Sequence, residues 1–260
     1  MCGIIGYVGG RKATPIVIDG LKRLEYRGYD SAGLVVETFE GLEITKRNGR
    51  LSVLAEALRG VKHEGTTGMG HTRWATHGRP SDVNSHPHTD CTGKFAVIHN
   101  GIIDNYLELK EELIGQGHKF MSETDTEVVA HLLETVYDGC LLKAAQEVAG
   151  MLRGSYVLLF MCQQEPGTIV AIRRDNPLII GLGEGENFLA SDIPAVMPHT
   201  RKVVVVEDGE VVRVRQNEVL IVNASGEVVT RDPMIVQWDV EAAEKRSEEH
   251  TSELQSRHNL

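Results

Sequence analysis

A cysteine stands directly after the initiator methionine, in the opening run Met1-Cys2-Gly3. The small side chain of Cys2 favours removal of Met1, which leaves the thiol beside a free α-amine. Such an amine has an ordinary pKa of about 7.7–8.0, so it can accept the thiol proton near neutral pH. Because the thiolate is the nucleophilic form of cysteine, this one residue can supply both nucleophile and general base. The alternative is that Cys2 is a small buried hydrophobic residue that opens the first strand.

Five later segments are rich in residues that bind or polarise substrates: 26–33, 71–78, 84–88, 99–105 and 122–127. Several of these residues also have a purely structural interpretation. Asn100-Gly101 is a leading signal for a hairpin turn, and Arg73 taken alone fits a surface residue at a strand end. Asp125 lies at capping-box spacing before an apolar helical pattern, so local sequence favours a capping role for it.

In order and spacing, these segments and Cys2-Gly3-Ile4 resemble the class II (N-terminal nucleophile) glutamine amidotransferases. Within that family, the resemblance is to the glutaminase domain of glutamine–fructose-6-phosphate transaminases, over about residues 2–245. It implies an α+β fold, the αββα four-layer sandwich of the N-terminal nucleophile hydrolases. The implied substrate is L-glutamine, cleaved to glutamate and ammonia. Fructose 6-phosphate is expected to be used only through an isomerase domain that the chain lacks, in a full-length homo-oligomer.

The resemblance assigns the amide-cleaving chemistry to three residues. Cys2 attacks the side-chain amide of glutamine, which gives a tetrahedral oxyanion and then a γ-glutamyl thioester. The side-chain amide of Asn100 and the backbone N–H of Gly101 stabilise the oxyanion. Loss of one such donor typically costs about 2.7–4 kcal/mol of transition-state stabilisation.

The resemblance also implies how the substrate is held. Arg73 binds the α-carboxylate, which a planar guanidinium can contact through two parallel charge-assisted hydrogen bonds. Asp125 binds the α-ammonium, which leaves helix capping to Thr124.

A mobile loop from Trp74 to Gly78 is expected to close over glutamine, with Trp74, Thr76 and His77 lining the site. Closure excludes water from the thioester until ammonia has left. Arg27 and Gly28 are expected to support the N-terminal residue.

Two alternatives stay open. One is the glutaminase domain of another class II amidotransferase, such as amidophosphoribosyltransferase or asparagine synthetase. Against it, segments 26–33 and 71–78 have the form typical of the fructose-6-phosphate enzymes. The other alternative is a catalytically silent regulatory module, which the retained site residues disfavour.

The composition of the chain limits the kinds of partner and ligand that we expect. The net charge of −10 over 260 residues argues against a nucleic-acid surface, which needs clustered Lys and Arg. No apolar run is long enough to cross a membrane and no signal peptide is evident, so we expect a cytoplasmic protein. We expect no cofactor. The four cysteines have no CxxC spacing, and no cysteine or carboxylate completes a known ligand pattern with the histidines of 71–99, so we also expect no metal.

Alternating or short apolar runs predict strands, and runs with helical spacing predict helices. The predicted strands are 3–8, 32–37, 42–46, 68–72, 95–99, 156–162, 168–172, 178–181, 188–191, 203–207, 210–214, 218–222 and 227–230. The predicted helices are 16–24, 105–114, 128–136 and 141–152. The turn at 207–210 has the sequence of a hairpin.

The pattern divides the chain into three parts. We predict a glutaminase domain at 2–225 and the start of a linker at 226–245. Residues 246–260 match the translation of a common sequencing adaptor, so we interpret them as a non-native tail.

Overall fold

The computed structural model describes residues 2–61 and 63–237. Five α-helices lie in this part of the chain: α1 (Ala13–Lys22), α2 (Leu51–Ala57), α3 (Tyr106–Gly115), α4 (Glu127–Val136) and α5 (Leu141–Met151). The strands of its first half are β1 (Gly3–Val8), β2 (Ser31–Thr38), β3 (Gly41–Asn48), β4 (Thr67–Arg73), β5 (His88–Thr89) and β6 (Phe95–Ile103). The strands of its second half are β7 (Gly154–Cys162), β8 (Ile169–Arg174), β9 (Ile179–Leu182), β10 (Asn187–Ala190), β11 (Lys202–Val205), β12 (Val211–Arg215), β13 (Glu218–Val222), β14 (Val228–Val229) and β15 (Met234–Ile235).

The strands form two sheets whose neighbours are all antiparallel. The larger sheet has eight strands in the order β15-β11-β9-β10-β1-β4-β2-β3. The smaller sheet has seven strands in the order β14-β13-β12-β8-β7-β6-β5.

Successive side chains of a strand point to opposite faces of its sheet, so each strand contributes side chains to two layers. In β1, Ile4 belongs to the apolar cluster between the two sheets, whereas Ile5 belongs to the cluster beneath α1. In β6, Ile98 faces the other sheet and Val97 faces α4 and α5. Helices therefore cover the outer face of each sheet, which confirms the predicted α+β class and αββα layering.

Helix α1 shows how closely these layers pack. Its buried face is made of residues at helical spacing, including Ile16, Val17 and Leu21. A Cβ atom at Gly20 would lie 2.9 Å from Cγ1 of Ile5, so the lack of a side chain lets the helix approach β1. This packing fixes the outer face of the strand that Cys2 precedes.

The predicted hairpin at 207–210 is wrong. The turn itself forms, with the N–H of Glu210 donating to the carbonyl of Glu207 at 3.2 Å and Gly209 at φ +78°. However, β11 before it belongs to the larger sheet and β12 after it to the smaller one. The sequence of a turn fixes a chain reversal but not the sheet that each flanking strand joins.

Three short elements were not predicted: α2, β5 and β15. Strands β14 and β15 lie beyond residue 225 and add one short pair to each sheet. The predicted tail, 246–260, and the end of the predicted linker lie outside the described residues. Among the described residues, no helix has the length and apolar composition that a membrane span requires.

Candidate active site

Cys2 lies at the start of β1, a central strand of the larger sheet. Its Sγ accepts a hydrogen bond from the Trp74 backbone N–H at 3.1 Å and lies 3.5 Å from the Trp74 carbonyl oxygen. Burial raises the pKa of the Cys2 thiol, and the Trp74 N–H only partly opposes this effect. The thiol is therefore protonated at neutral pH and needs a base when it attacks.

The Asn100 side chain links Cys2 to a buried histidine. Its Nδ2 donates to the Cys2 carbonyl oxygen at 3.0 Å, and its Oδ1 lies 3.0 Å from Nε2 of His71. Because an amide oxygen only accepts, Nε2 of His71 carries the hydrogen. Burial lowers the pKa of His71 to about 3, so the ring is neutral at neutral pH. One amide hydrogen of Asn100 is used by Cys2, and the second can serve another acceptor.

Gly101 occupies a position inside β6 that only glycine fits. Its φ is +130°, and a Cβ atom there would lie 2.0 Å from the Ser155 carbonyl oxygen. Such a φ is strained for any residue with a side chain. Asn100 and Gly101 pair with Val157 and Tyr156 of β7, so the hairpin-turn interpretation of this dipeptide is wrong.

Arg73 ends β4, and its side chain is 3% exposed. Nη2 donates to the carbonyl oxygens of His77 and of Gly78, the latter at 3.1 Å. Nη1 lies 4.0 Å from Oδ1 of Asp30 and, within the described residues, has no hydrogen-bond partner. A buried guanidinium with an unused N–H is suited to receive a carboxylate.

Asp125 is a buried carboxylate just before α4. Its Oδ2 accepts from the Ile103 backbone N–H at 2.9 Å and lies 3.9 Å from Nδ1 of His99 and 4.0 Å from Nδ1 of His77. Burial lowers the pKa of His99 although Asp125 opposes the shift. The Ile103 N–H thus holds the Asp125 carboxylate within the site.

The predicted capping by Thr124 is wrong. The residue at the N-cap of α4 is Thr126, which makes no side-chain capping bond. The Thr124 hydroxyl instead lies 2.9 Å from the Ser122 hydroxyl and 3.2 Å from Nε2 of His88. Glu127 turns back to accept from the Ser122 N–H at 2.6 Å. These bonds fix the segment that carries Asp125 without a capping box.

The 74–78 loop rests on the predicted supporting residues. Gly28, at φ +98°, lies under the indole ring of Trp74, and a Cβ atom there would lie 2.3 Å from Cε3 of that ring. The Arg27 guanidinium donates to the Ser191 carbonyl at 3.1 Å, which ties this turn to the end of β10. The His77 ring packs edge-on against Tyr106 at 5.1 Å between ring centroids.

Two adjoining cavities meet at Cys2. An outer cleft of about 770 Å³ is lined by Cys2, Arg27, Trp74, Thr76, Asn100 and Gly101, among others. An inner space of about 10 Å³ is lined by Arg73 and Asp125, among others, and by four residues shared with the outer cleft: Cys2, Trp74, Thr76 and Gly101. All ten residues predicted for the site lie at this junction or, as Gly28 and His77 do, directly behind it. The inner space is barely large enough for one water molecule.

Sequence reasoning missed the part played by His71. It considered this residue only as a metal ligand, whereas the structure stacks the His71 ring on His86 at 4.1 Å and directs Nε2 to Asn100. A histidine two residues before Arg73 on a strand was the only local signal. Its contact with Asn100, which lies 29 positions away, depends on how the two sheets face each other.

Comparison with known proteins gives concordant matches. A family described as a glutamine amidotransferase domain matches residues 58–227. The chain is 56% identical over 245 residues to the glutamine–fructose-6-phosphate aminotransferase (isomerizing) of Thermus thermophilus, covering 94% of this chain and 40% of that protein. It is 52% identical over 250 residues to the protein of the same name from Aquifex aeolicus, covering 96% and 42%.

Solved structures agree with this result. Glutamine phosphoribosylpyrophosphate amidotransferase from Bacillus subtilis superposes with a TM-score of 0.74 at 29% identity, covering 87% of this chain and 50% of that one. The chain spans about 40% of the length of the curated relatives that it matches. Since the family match extends over more than half of its residues, the chain belongs to the glutamine amidotransferase domain family.

Proposed function

We propose that this chain is the glutaminase portion of a glutamine–fructose-6-phosphate aminotransferase. In this proposal Cys2 cleaves the side-chain amide of L-glutamine to glutamate and ammonia. The whole protein, a homo-oligomer, would transfer that ammonia to fructose 6-phosphate in a further domain. The names and the 52–56% identity of the bacterial relatives support this choice among class II amidotransferases.

One observation carries the proposal: a buried guanidinium and a buried carboxylate line the same small space beside a thiol. Arg73 and Asp125 carry opposite charges, which complement the α-carboxylate and α-ammonium of a free amino acid. The substrate carboxylate would replace the His77 and Gly78 carbonyls on Arg73. That exchange requires the loop to move as glutamine enters.

The chemical steps follow from the groups around Cys2. After Met1 is removed, the α-amine takes the thiol proton and the thiolate attacks the amide carbon. The oxyanion receives the second hydrogen of the Asn100 amide and the Gly101 N–H. Collapse of the intermediate breaks the carbon–nitrogen bond, and the ammonium of Cys2 returns its proton to the leaving ammonia. Water then attacks the thioester, which releases glutamate and restores the thiol.

The division of the chain into domain, linker and tail is part of the same proposal. Strands β14 and β15 pair with the sheets beyond residue 225. We therefore propose that the folded domain, predicted at 2–225, extends through β15 to at least Ile235, that the linker predicted from 226 begins after it, and that 246–260 is a non-native tail.

The test is glutamate release from L-glutamine by the purified chain, without sugar phosphate. An intact mass first establishes that Met1 has been removed. Cys2→Ala should abolish release, with less than about 1% remaining, since loss of such a nucleophile typically costs ~10⁴-fold or more. Cys140→Ala is the matched control, because Cys140 lies before α5 and outside both cavities. No release by the correctly processed chain, or equal release by Cys2→Ala, would overturn the proposal.

A further inference from the structure

Four side chains converge away from the active site. Cys91 follows β5, His118 follows α3, and His131 and Glu134 lie one turn apart on α4. One ligand atom from each residue lies within 4.8 Å of all the others. The cluster joins three separate segments at the helix-covered face of the smaller sheet.

Hydrogen bonding does not account for this convergence. Nδ1 of His118 lies 3.2 Å from Nδ1 of His131, 3.1 Å from Oε2 of Glu134 and 3.8 Å from Sγ of Cys91. An imidazole nitrogen has one lone pair or one hydrogen, so it can satisfy one of these partners at a time. Three polar atoms around one nitrogen indicate a shared point between them, where a cation would sit.

Five of the six distances between ligand atoms are close to those of a zinc tetrahedron, and the sixth, from Cys91 to Glu134, is within 4.8 Å. Ordinary zinc bond lengths place nitrogen and oxygen ligands about 3.3 Å apart, and sulfur and nitrogen ligands about 3.6 Å apart. Here the nitrogen–nitrogen distance is 3.2 Å and the nitrogen–oxygen distances are 3.1 and 3.7 Å. The sulfur–nitrogen distances are 3.6 and 3.8 Å. A small movement of each side chain would close the shell.

Neighbouring groups are placed as in protein metal sites. The Lys119 backbone N–H donates to Sγ of Cys91 at 3.3 Å, which stabilises a thiolate. The second ring nitrogen of His131, Nε2, lies 3.7 Å from Oε1 of Glu127, which is near this carboxylate but longer than a hydrogen bond. Metal-bound histidines commonly direct their other nitrogen to a carboxylate, which fixes the ring. Cys91 is exposed, so an ion can reach the cluster from solvent.

We propose that Cys91, His118, His131 and Glu134 bind one Zn²⁺ ion. One thiolate and one carboxylate balance the charge of the ion, and the mixed sulfur, nitrogen and oxygen set suits zinc. Four protein ligands fill the tetrahedron, so the role is structural. The ion ties the β5–β6 connection and the segment after α3 to α4.

This site revises the expectation that the chain binds no metal. That expectation considered only spacing, and Cys91 and His118 are 27 positions apart while His118 and His131 are 13 apart. Only the fold brings the four residues together, although the His131–Glu134 spacing on a helix places both on one face.

Zinc stoichiometry tests the proposal. The purified chain is loaded with Zn²⁺, passed through a desalting column, and analysed for metal per chain. We expect one zinc ion, and a zinc affinity at least tenfold weaker in Cys91→Ser and in His118→Asn. Cys140→Ser is the matched control and should bind as the unmodified chain does. Titration with Co²⁺ should give the visible bands of tetrahedral cobalt and a sulfur-to-cobalt charge-transfer band that Cys91→Ser lacks.

Two outcomes would overturn the proposal. The first is that the chain, unmodified and reduced, retains no zinc. The second is that it retains zinc equally in Cys91→Ser, which means adventitious binding elsewhere. Glutamate release is measured on the same samples and should be retained in Cys91→Ser, because Cys91 lines neither active-site cavity. Metal binding and glutaminase activity can therefore fail independently.

Discussion

Replacing His71 by leucine tests how Asn100, the proposed oxyanion donor, is oriented. The His71 Nε2–H donates to Oδ1 of Asn100 at 3.0 Å and thereby directs the amide nitrogen to the Cys2 carbonyl. Leucine has similar bulk but no donor, so only the bond from Nδ2 to the Cys2 carbonyl would still distinguish the two ends of the amide. When the amide rotates by half a turn, its oxygen faces the position of the oxyanion.

The expected loss follows from these contacts. Removal of one oxyanion-hole donor lowers kcat by about 10²–10³, and we expect a loss no greater than that range because the Cys2 carbonyl still holds part of the amide population in its original orientation. Since Arg73 and Asp125 are unchanged, KM for glutamine should stay within about threefold. Oδ1 of Asn100 also loses its partner in a buried site, which should lower the free energy of unfolding by about 1–3 kcal/mol.

Steady-state glutamate release by His71→Leu, His71→Gln, Asn100→Ala and the His71→Leu/Asn100→Ala double variant measures the effect. Glutamine places a donor near the position of Nε2, so His71→Gln should recover most of the lost kcat. The double variant should be no worse than Asn100→Ala alone, because His71 acts through Asn100. Additive losses, or a folded His71→Leu with unchanged kcat, would refute the reasoning.

Three further predictions concern binding and stability. Asp125→Asn should raise KM for glutamine by about 10–150-fold, the loss expected for one charged hydrogen bond, and an unchanged KM would remove Asp125 from substrate binding. Gly28→Ala should lower the free energy of unfolding by about 1–3 kcal/mol and raise KM, because its φ is +98° and the new methyl group meets Trp74; urea unfolding and kinetics would show whether both change. Finally, stability should fall as the pH drops from about 6.5 towards 3, because burial lowers the pKa of four histidines in the folded state: His71, His86, His88 and His99. His71 takes up a proton on unfolding throughout that range, and each of the other three does so below about pH 6.5 down to its own lowered pKa, at up to about 1.4 kcal/mol per pH unit and per histidine. Equal urea stability at pH 7.5 and 5.5 would contradict this account.

Most elements could be predicted from the sequence because their apolar pattern is local. The predicted strand 3–8 and helix 128–136 agree with β1 and α4 to within one residue. Helix α2 was missed because it is a seven-residue helix with two buried side chains, too short to show a helical period. The layering itself followed from the family resemblance, since a continuous apolar run shows that a strand is covered on both faces but not what covers them.

The candidate site, like the fold, could be predicted only in part from the sequence. Residue types at Cys2, Arg73 and Asp125 suggested their chemistry, and the structure brings them to one place; their individual roles stay predictions. The prediction that Thr124 caps α4 was wrong because the Glu127 carboxylate accepts hydrogen bonds from the backbone N–H groups of Met121 and Ser122 before the helix. Asn100-Gly101 illustrates the limit of turn signals. The positive φ of Gly101 occurs within strand β6, where the Ser155 carbonyl lies too close for a side chain, and not in a hairpin turn.

The junction of the two sheets explains why the remaining features could not be predicted. Cys2 and Arg73 come from adjacent strands of the larger sheet, whereas Asn100 and Gly101 come from the smaller one. The active site therefore exists only where the two sheets pack, and the apolar cluster between them sets its distances. A contact such as His71 with Asn100 depends on that packing and has no counterpart in sequence spacing. For the same reason, the proposed nucleophile and the proposed oxyanion donors cannot be separated into independently folding halves.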